Sequence, residues 1–156
     1  KLIRNISFTI KLRIDMDNIV IATDLQPETE NALLRALQLS EEHSAKLYIL
    51  HVASCMLENI NETTSIEDWS KDIIQALIKK YPAHKKVVYE ISIVRGGRIQ
   101  DQIDKFSRER DADLVIMGAD RSTINAPEVV RTKVEHVLWQ GDYPVLAVFY
   151  RYKTAI

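Results

Sequence analysis

Five short, nearly unbroken apolar runs punctuate the chain: NIVIATD from residue 18, KLYILHV from 46, KVVYEISIV from 86, ADLVIMG from 112 and YPVLAVFY from 143. Runs of this length without polar alternation are the pattern of strands covered on both faces. Between them the apolar residues recur at helical spacing: Leu33, Leu34, Leu37 and Leu39; then Ile66, Trp69, Ile73, Leu77 and Tyr81; then Ile99, Ile103 and Phe106; and last Val130, Val134, Val137 and Leu138. Each set describes a helix with one apolar stripe. Strand and helix therefore alternate four times and a strand closes the series. Parallel neighbours need crossovers, and crossovers are right-handed, so the expected fold is α/β. It is a single-domain, open, mostly parallel five-stranded sheet with helices on both faces, Rossmann-like in plan.

The punctuation agrees. Pro27 and Glu28 open the first helix after a turn over residues 24–28, Pro82 ends the second, and Gly96 with Gly97 turns the chain into the third. Residues 53–61 have no period and read as a loop. The N-terminus departs from the plan: in ISFTIKLRI, Ile6, Phe8, Ile10, Leu12 and Ile14 alternate with Ser7, Thr9, Lys11 and Arg13. That is a strand with one wet face. Two readings of residues 1–15 stand open: an extra edge or partner-pairing strand, or a non-native or upstream segment ahead of a start at Met16. Residues 16–156 form the domain itself.

Composition narrows the function classes. With 156 residues, 46% hydrophobic and 28% charged, the chain suits one globular domain. The formal net charge of −1, from 21 basic and 22 acidic side chains, supplies no field to draw it onto nucleic acid or an anionic membrane, and neither partner is expected. Cys55 is the single cysteine, and no apolar run approaches the ~20 residues of a membrane span. A cytoplasmic location is expected. The four histidines, His43, His51, His84 and His136, lack a metal-ligand spacing, and neither a nucleophile elbow nor a Walker lysine is present. No metal and no catalytic residue is assigned. His51, at a strand end, reads as a satisfied, half-buried histidine.

NIVIATDLQPETENALLRALQLSEEHSAKLYILHV, DADLVIMGADRS and VEHVLWQGDYPVLAVF, in that order, resemble the universal stress protein family over residues 18–149. The resemblance lies in the whole layout rather than in one motif. It implies a five-stranded adenine-nucleotide-binding-like fold and a homodimer paired through the closing strand, which begins at Tyr143 and ends at Tyr150. In some members it implies bound ATP.

The family's nucleotide-binding branch carries a glycine, two residues, a second glycine, nine residues, then a glycine followed by serine or threonine. Gly118 matches the first glycine, Arg121 falls on the second, Arg131 on the third and Thr132 on the hydroxyl. Glycine there permits positive φ and lets phosphate reach backbone NH groups without a Cβ in the way. An arginine occupies that approach, although its guanidinium can itself bind phosphate. The plainer alternatives are solvated loop charges for the two arginines and, for Thr132, a helix cap in TKVE. By resemblance, Thr23, Asp24, Val52 and Met117 would face the adenine and ribose beside Gly118. As alternatives, Val52 and Met117 are ordinary core residues, and Asp24 caps the helix that follows.

Three readings follow. The leading one is a non-catalytic, dimeric regulatory or stress-response module whose nucleotide site has degenerated, with no cofactor assigned. The second is an ATP- or AMP-binding sensor that uses Arg121 and Arg131 in place of glycines, with slow ATP hydrolysis left open. The third is a domain that recruits an unknown protein partner through the N-terminal strand.

Overall fold

The computed structural model describes residues 15–26, 29–53, 65–120, 137 and 141–150. In chain order these form β1 (Asn18–Thr23), α1 (Glu30–His43), β2 (Lys46–Ala53), α2 (Ile66–Lys79), a short 3-10 helix (Pro82–Lys86), β3 (Tyr89–Arg95), α3 (Ile99–Glu109), β4 (Leu114–Asp120) and β5 (Val145–Tyr150). The strands make one sheet in the order β3-β2-β1-β4-β5, and all four pairings are parallel. The expected α/β architecture is therefore the observed one. Among the described residues no helix is long and apolar enough to cross a membrane.

Successive side chains of a strand point to opposite faces, so each central strand feeds two cores. Ile19, Ile21, Leu47, Ile49 and Ile116 pack on one face with Leu33 and Leu37 of α1 and Ile74 and Ile78 of α2. Val20, Leu50 and Val115 pack on the other with Ile103 and Phe106 of α3 and with Val137. This explains why the central strands read as unbroken apolar runs. Each fully buried Ile, Leu or Val contributes about 1.5–3 kcal/mol relative to exposure. The start of β1 is fixed by a carboxylate. Asp113 Oδ2, just before β4, accepts the NH groups of Asp17 (2.8 Å) and Asn18 (2.9 Å).

Four expectations change. α1 begins at Glu30 with Thr29 as its N-cap residue, later than the reading from Pro27 and Glu28, which lie outside the described residues. Asp24 does not cap that helix: its Oδ1 accepts the NH of Gln26 at 3.0 Å, two residues on, so the carboxylate is used within the turn. Pro82 follows the end of α2 as expected, but it also opens the 3-10 helix. The buried stripe of α2 is Ile66, Ser70, Ile74 and Ile78 rather than Ile66, Trp69, Ile73, Leu77 and Tyr81, and Trp69 is 41% exposed. The two stripes are neighbours on the helix, and a buried serine disguised the one that faces the sheet. The alternating run over residues 6–14, Cys55, and the positions Val130 and Val134 expected in a fourth helix lie outside the described residues.

Candidate functional site

Strand order locates the site. From β1 the chain steps outward to β2 and β3, then returns across the sheet to β4 and β5. The direction reverses at the β1–β4 junction, and a crevice opens there at the carboxyl ends of the strands. A cavity of about 80 Å³ lies at that point. Its apolar wall is Ala22, Leu50 and Met117 from the sheet with Ile99 and Ile103 from α3. Its rim is Thr23, Asp24, Thr29, Val52 and Gly118. Thus Thr23, Asp24, Val52, Met117 and Gly118, named from three separate stretches of sequence, converge on one cavity. Arg121, Arg131 and Thr132 lie outside the described residues.

The β1–α1 turn that carries the rim is built by short polar side chains. The Thr29 hydroxyl donates to the Gln26 carbonyl at 2.8 Å, which consumes its single proton. The 3.3 Å contact between the hydroxyls of Thr23 and Thr29 must then be a donation from Thr23 to Thr29. Thr23 in turn accepts the NH of Leu25 at 3.2 Å. Hydrogen bonds therefore run one way, from Leu25 NH through both hydroxyls to the Gln26 carbonyl. Both hydroxyl protons are spent within the protein, and only acceptor lone pairs remain to face the cavity. Asp24 adds a carboxylate, a group that only accepts, to the same rim. Such an array takes ligand groups that donate hydrogen bonds, such as sugar hydroxyls or an exocyclic amine, and it repels phosphate oxygens.

Two backbone features surround this turn. Leu25 sits at φ 63, in the left-handed region that a branched L side chain adopts only when its surroundings hold it. Its side chain packs against the core on the α1 face. Gly118 is constrained differently: a Cβ there would stand 2.9 Å from Thr29 Cγ2, and positive φ among the described glycines is confined to Gly96 and Gly97. The close approach of β4 to the start of α1 accounts for this glycine before any phosphate is considered.

His51, read from sequence as half-buried, is only 8% exposed, and its Nδ1 lies 2.9 Å from the Thr23 carbonyl oxygen. Gly96 and Gly97 turn β3 into α3 as expected. Arg95 pairs with Glu67 (2.6 Å) and Arg98 lies 3.8 Å from Asp101. The sequence reading missed Ala22, Thr29, Leu50, Ile99 and Ile103 as cavity residues. Thr29, directly ahead of the helical run ENALL, carried a usable signal in its preference for helix starts. Nothing local marks Ile99 or Ile103 beyond an ordinary apolar stripe.

Comparison with known proteins agrees with this fold. The sequence model of the universal stress protein family matches residues 16–148. Among solved structures, a universal stress protein in complex with cAMP superposes with a TM-score of 0.67 at 20% identity, covering 86% of this chain and 98% of that one. The Archaeoglobus fulgidus universal stress protein in complex with dAMP gives 0.60 at 20% identity over 86% of this chain and 98% of its own. UspA from Lactobacillus plantarum gives 0.61 at 16% identity over 85% and 97%. At these identities the likeness is one of fold. No curated protein matches the chain.

Proposed function

Because the chain belongs to the universal stress protein family, we propose that it is a non-catalytic regulatory module of the cytoplasm. In this reading its cavity takes the base and sugar of an adenine nucleotide and holds the phosphates weakly. The observation that carries it is the acceptor-only rim of Thr23, Thr29 and Asp24 over an apolar wall of Leu50, Met117 and Ile103. An apolar wall suits a base, and spent hydroxyl protons suit ligand donors. Arg121 and Arg131, standing where the family's nucleotide-binding branch has glycine, support a weakened phosphate cradle. The ligands in the two solved relatives, cAMP and dAMP, each carry a single phosphate, which fits the same balance.

The expected assembly is a homodimer through β5. Among the described residues that strand pairs with β4, and its residues Leu146, Ala147, Val148 and Phe149 line a groove with Leu34, Arg35 and Gln38 of α1. An apolar edge strand is an aggregation hazard unless it is paired or covered, and a two-fold dimer covers it with the same surface on both subunits.

Thermal denaturation with adenosine, AMP, cAMP and ATP tests the ligand. A ligand specific to the folded state, supplied at 100 times its dissociation constant, stabilises by about 2.7 kcal/mol. AMP and adenosine are expected to raise the melting temperature, with ATP no better than AMP. If ATP binds far more tightly than AMP, and Arg121→Ala or Arg131→Ala removes the difference, the arginines act as a phosphate site and the protein is an ATP sensor. No shift with any of the four ligands removes the nucleotide reading.

A further inference from the structure

We propose that His51 is a positioning residue for the cavity: from β2 it holds the Thr23 carbonyl, and through it the β1–α1 turn, in the arrangement that presents Thr23 and Asp24. The contact is Nδ1 to carbonyl oxygen at 2.9 Å, between residues opposite each other in the β1–β2 ladder. A carbonyl only accepts, so Nδ1 carries the proton, and in the neutral ring Nε2 bears the lone pair. The tautomer is thereby fixed by the fold.

Among the described residues the turn's other polar ties, Leu25 NH to Thr23, Gln26 NH to Asp24, the Thr23 hydroxyl to the Thr29 hydroxyl, and the Thr29 NH and hydroxyl to the Gln26 carbonyl, all lie within the segment from Thr23 to Thr29. Local bonds of this kind can move as a unit. Leu25 at φ 63 stores strain that such movement would release. The bond from His51 spans 28 residues and joins the tip of β1 to the end of a neighbouring strand. His51 is 8% exposed, so water does not readily replace the bond if the ring is removed. Met117 and Gly118 meet the cavity from the opposite neighbour of β1. Holding the tip of β1 from the β2 side therefore sets the width of the cavity as well as the aim of its rim.

The ligand arm of this inference rests on the nucleotide reading above, and the structural arm stands without it. Nitrogen-15 NMR of the full chain is expected to find His51 as the Nδ1–H tautomer. Amide exchange at Leu25 and Gln26 should accelerate at least about tenfold in His51→Phe and stay near wild type in His51→Asn, whose amide NH₂ can take the place of Nδ1–H. With AMP as the probe, His51→Phe should weaken affinity about tenfold, and His51→Asn should restore it. An Nε2–H tautomer overturns the proposal, as does unchanged exchange at Leu25 and Gln26 in a folded His51→Phe. Equal loss in both variants also overturns it, because a purely structural role would not distinguish them. If wild type binds no AMP while the tautomer and exchange results hold, the nucleotide reading fails and the positioning role survives.

Discussion

Asp24 shows how much a single side chain can be asked to do. One carboxylate oxygen accepts the Gln26 NH and shapes the turn, and the same residue lines the cavity. Asn can accept the same NH through its carbonyl oxygen but turns the second oxygen into a donor. Asp24→Asn is therefore expected to leave the stability of the free protein within about 0.5 kcal/mol of wild type while removing most of the stabilisation by AMP. Differential scanning fluorimetry with and without AMP checks it. A large loss in the free protein would make Asp24 purely a turn residue. Gly118 teaches the opposite lesson. It matches a phosphate-loop glycine in sequence, yet Thr29 stands where its Cβ would be, so that match by itself carries no information about ligand.

At the scale of elements, α3 is tied to the approach to β5 by a compact polar network. The Tyr143 hydroxyl donates to Asp104 at 3.0 Å, and Arg108 bridges Asp104 (3.0 Å) and Asp142 (2.9 Å). Burial, reinforced by the bond to Asp104, pushes the Tyr143 phenol up to about 12 from its ordinary value near 10. Tyr81, half-buried and bonded to Glu30 of α1, is also pushed up to about 12 by desolvation and that bond. The sign follows from proton counts. Below pH 10 both folded and unfolded chains hold these protons. Between about 10 and 12 the unfolded chain loses them while the folded chain keeps them, so stability falls as pH rises through that window. Tyr143→Phe should be less stable at pH 9, by about 0.5–1.5 kcal/mol for the lost hydrogen bond, and should lose less than wild type between pH 9 and 11. Urea midpoints at the two pH values measure both effects. An equal alkaline loss in the variant would assign the titration elsewhere.

For the whole molecule the open question is assembly. Leu146 and Val148 of β5 pack against the α1-side core, so a charge at Val148 would damage the fold as well as any interface. Phe149 is 43% exposed and is the better probe. Phe149→Lys is expected to shift a dimer toward monomer, by light scattering, while the far-ultraviolet circular dichroism stays that of the wild type. A truncation that removes residues 1–15 should remain dimeric. A monomeric truncation with dimeric Phe149→Lys would transfer the interface to the N-terminal segment.

The sequence by itself determined the class of fold and the order of the described strands and α-helices, and its family resemblance named five of the residues that line the cavity. Burial on both faces writes an unbroken apolar run, burial on one face of a helix writes a stripe, and both are local records. It could not decide which of two adjacent stripes on α2 faces the sheet, because Ser70 is buried by the close packing of its neighbours rather than by its own hydrophobicity. Nor could it show that Gly118 answers to Thr29, that the two threonine hydroxyls spend their protons on the turn, or that His51 reaches the Thr23 carbonyl. The hydroxyl bonds depend on the path of the turn, and the Gly118 and His51 contacts on strand order and register, which join residues distant in the chain. No periodicity within a segment records what the neighbouring strand will be.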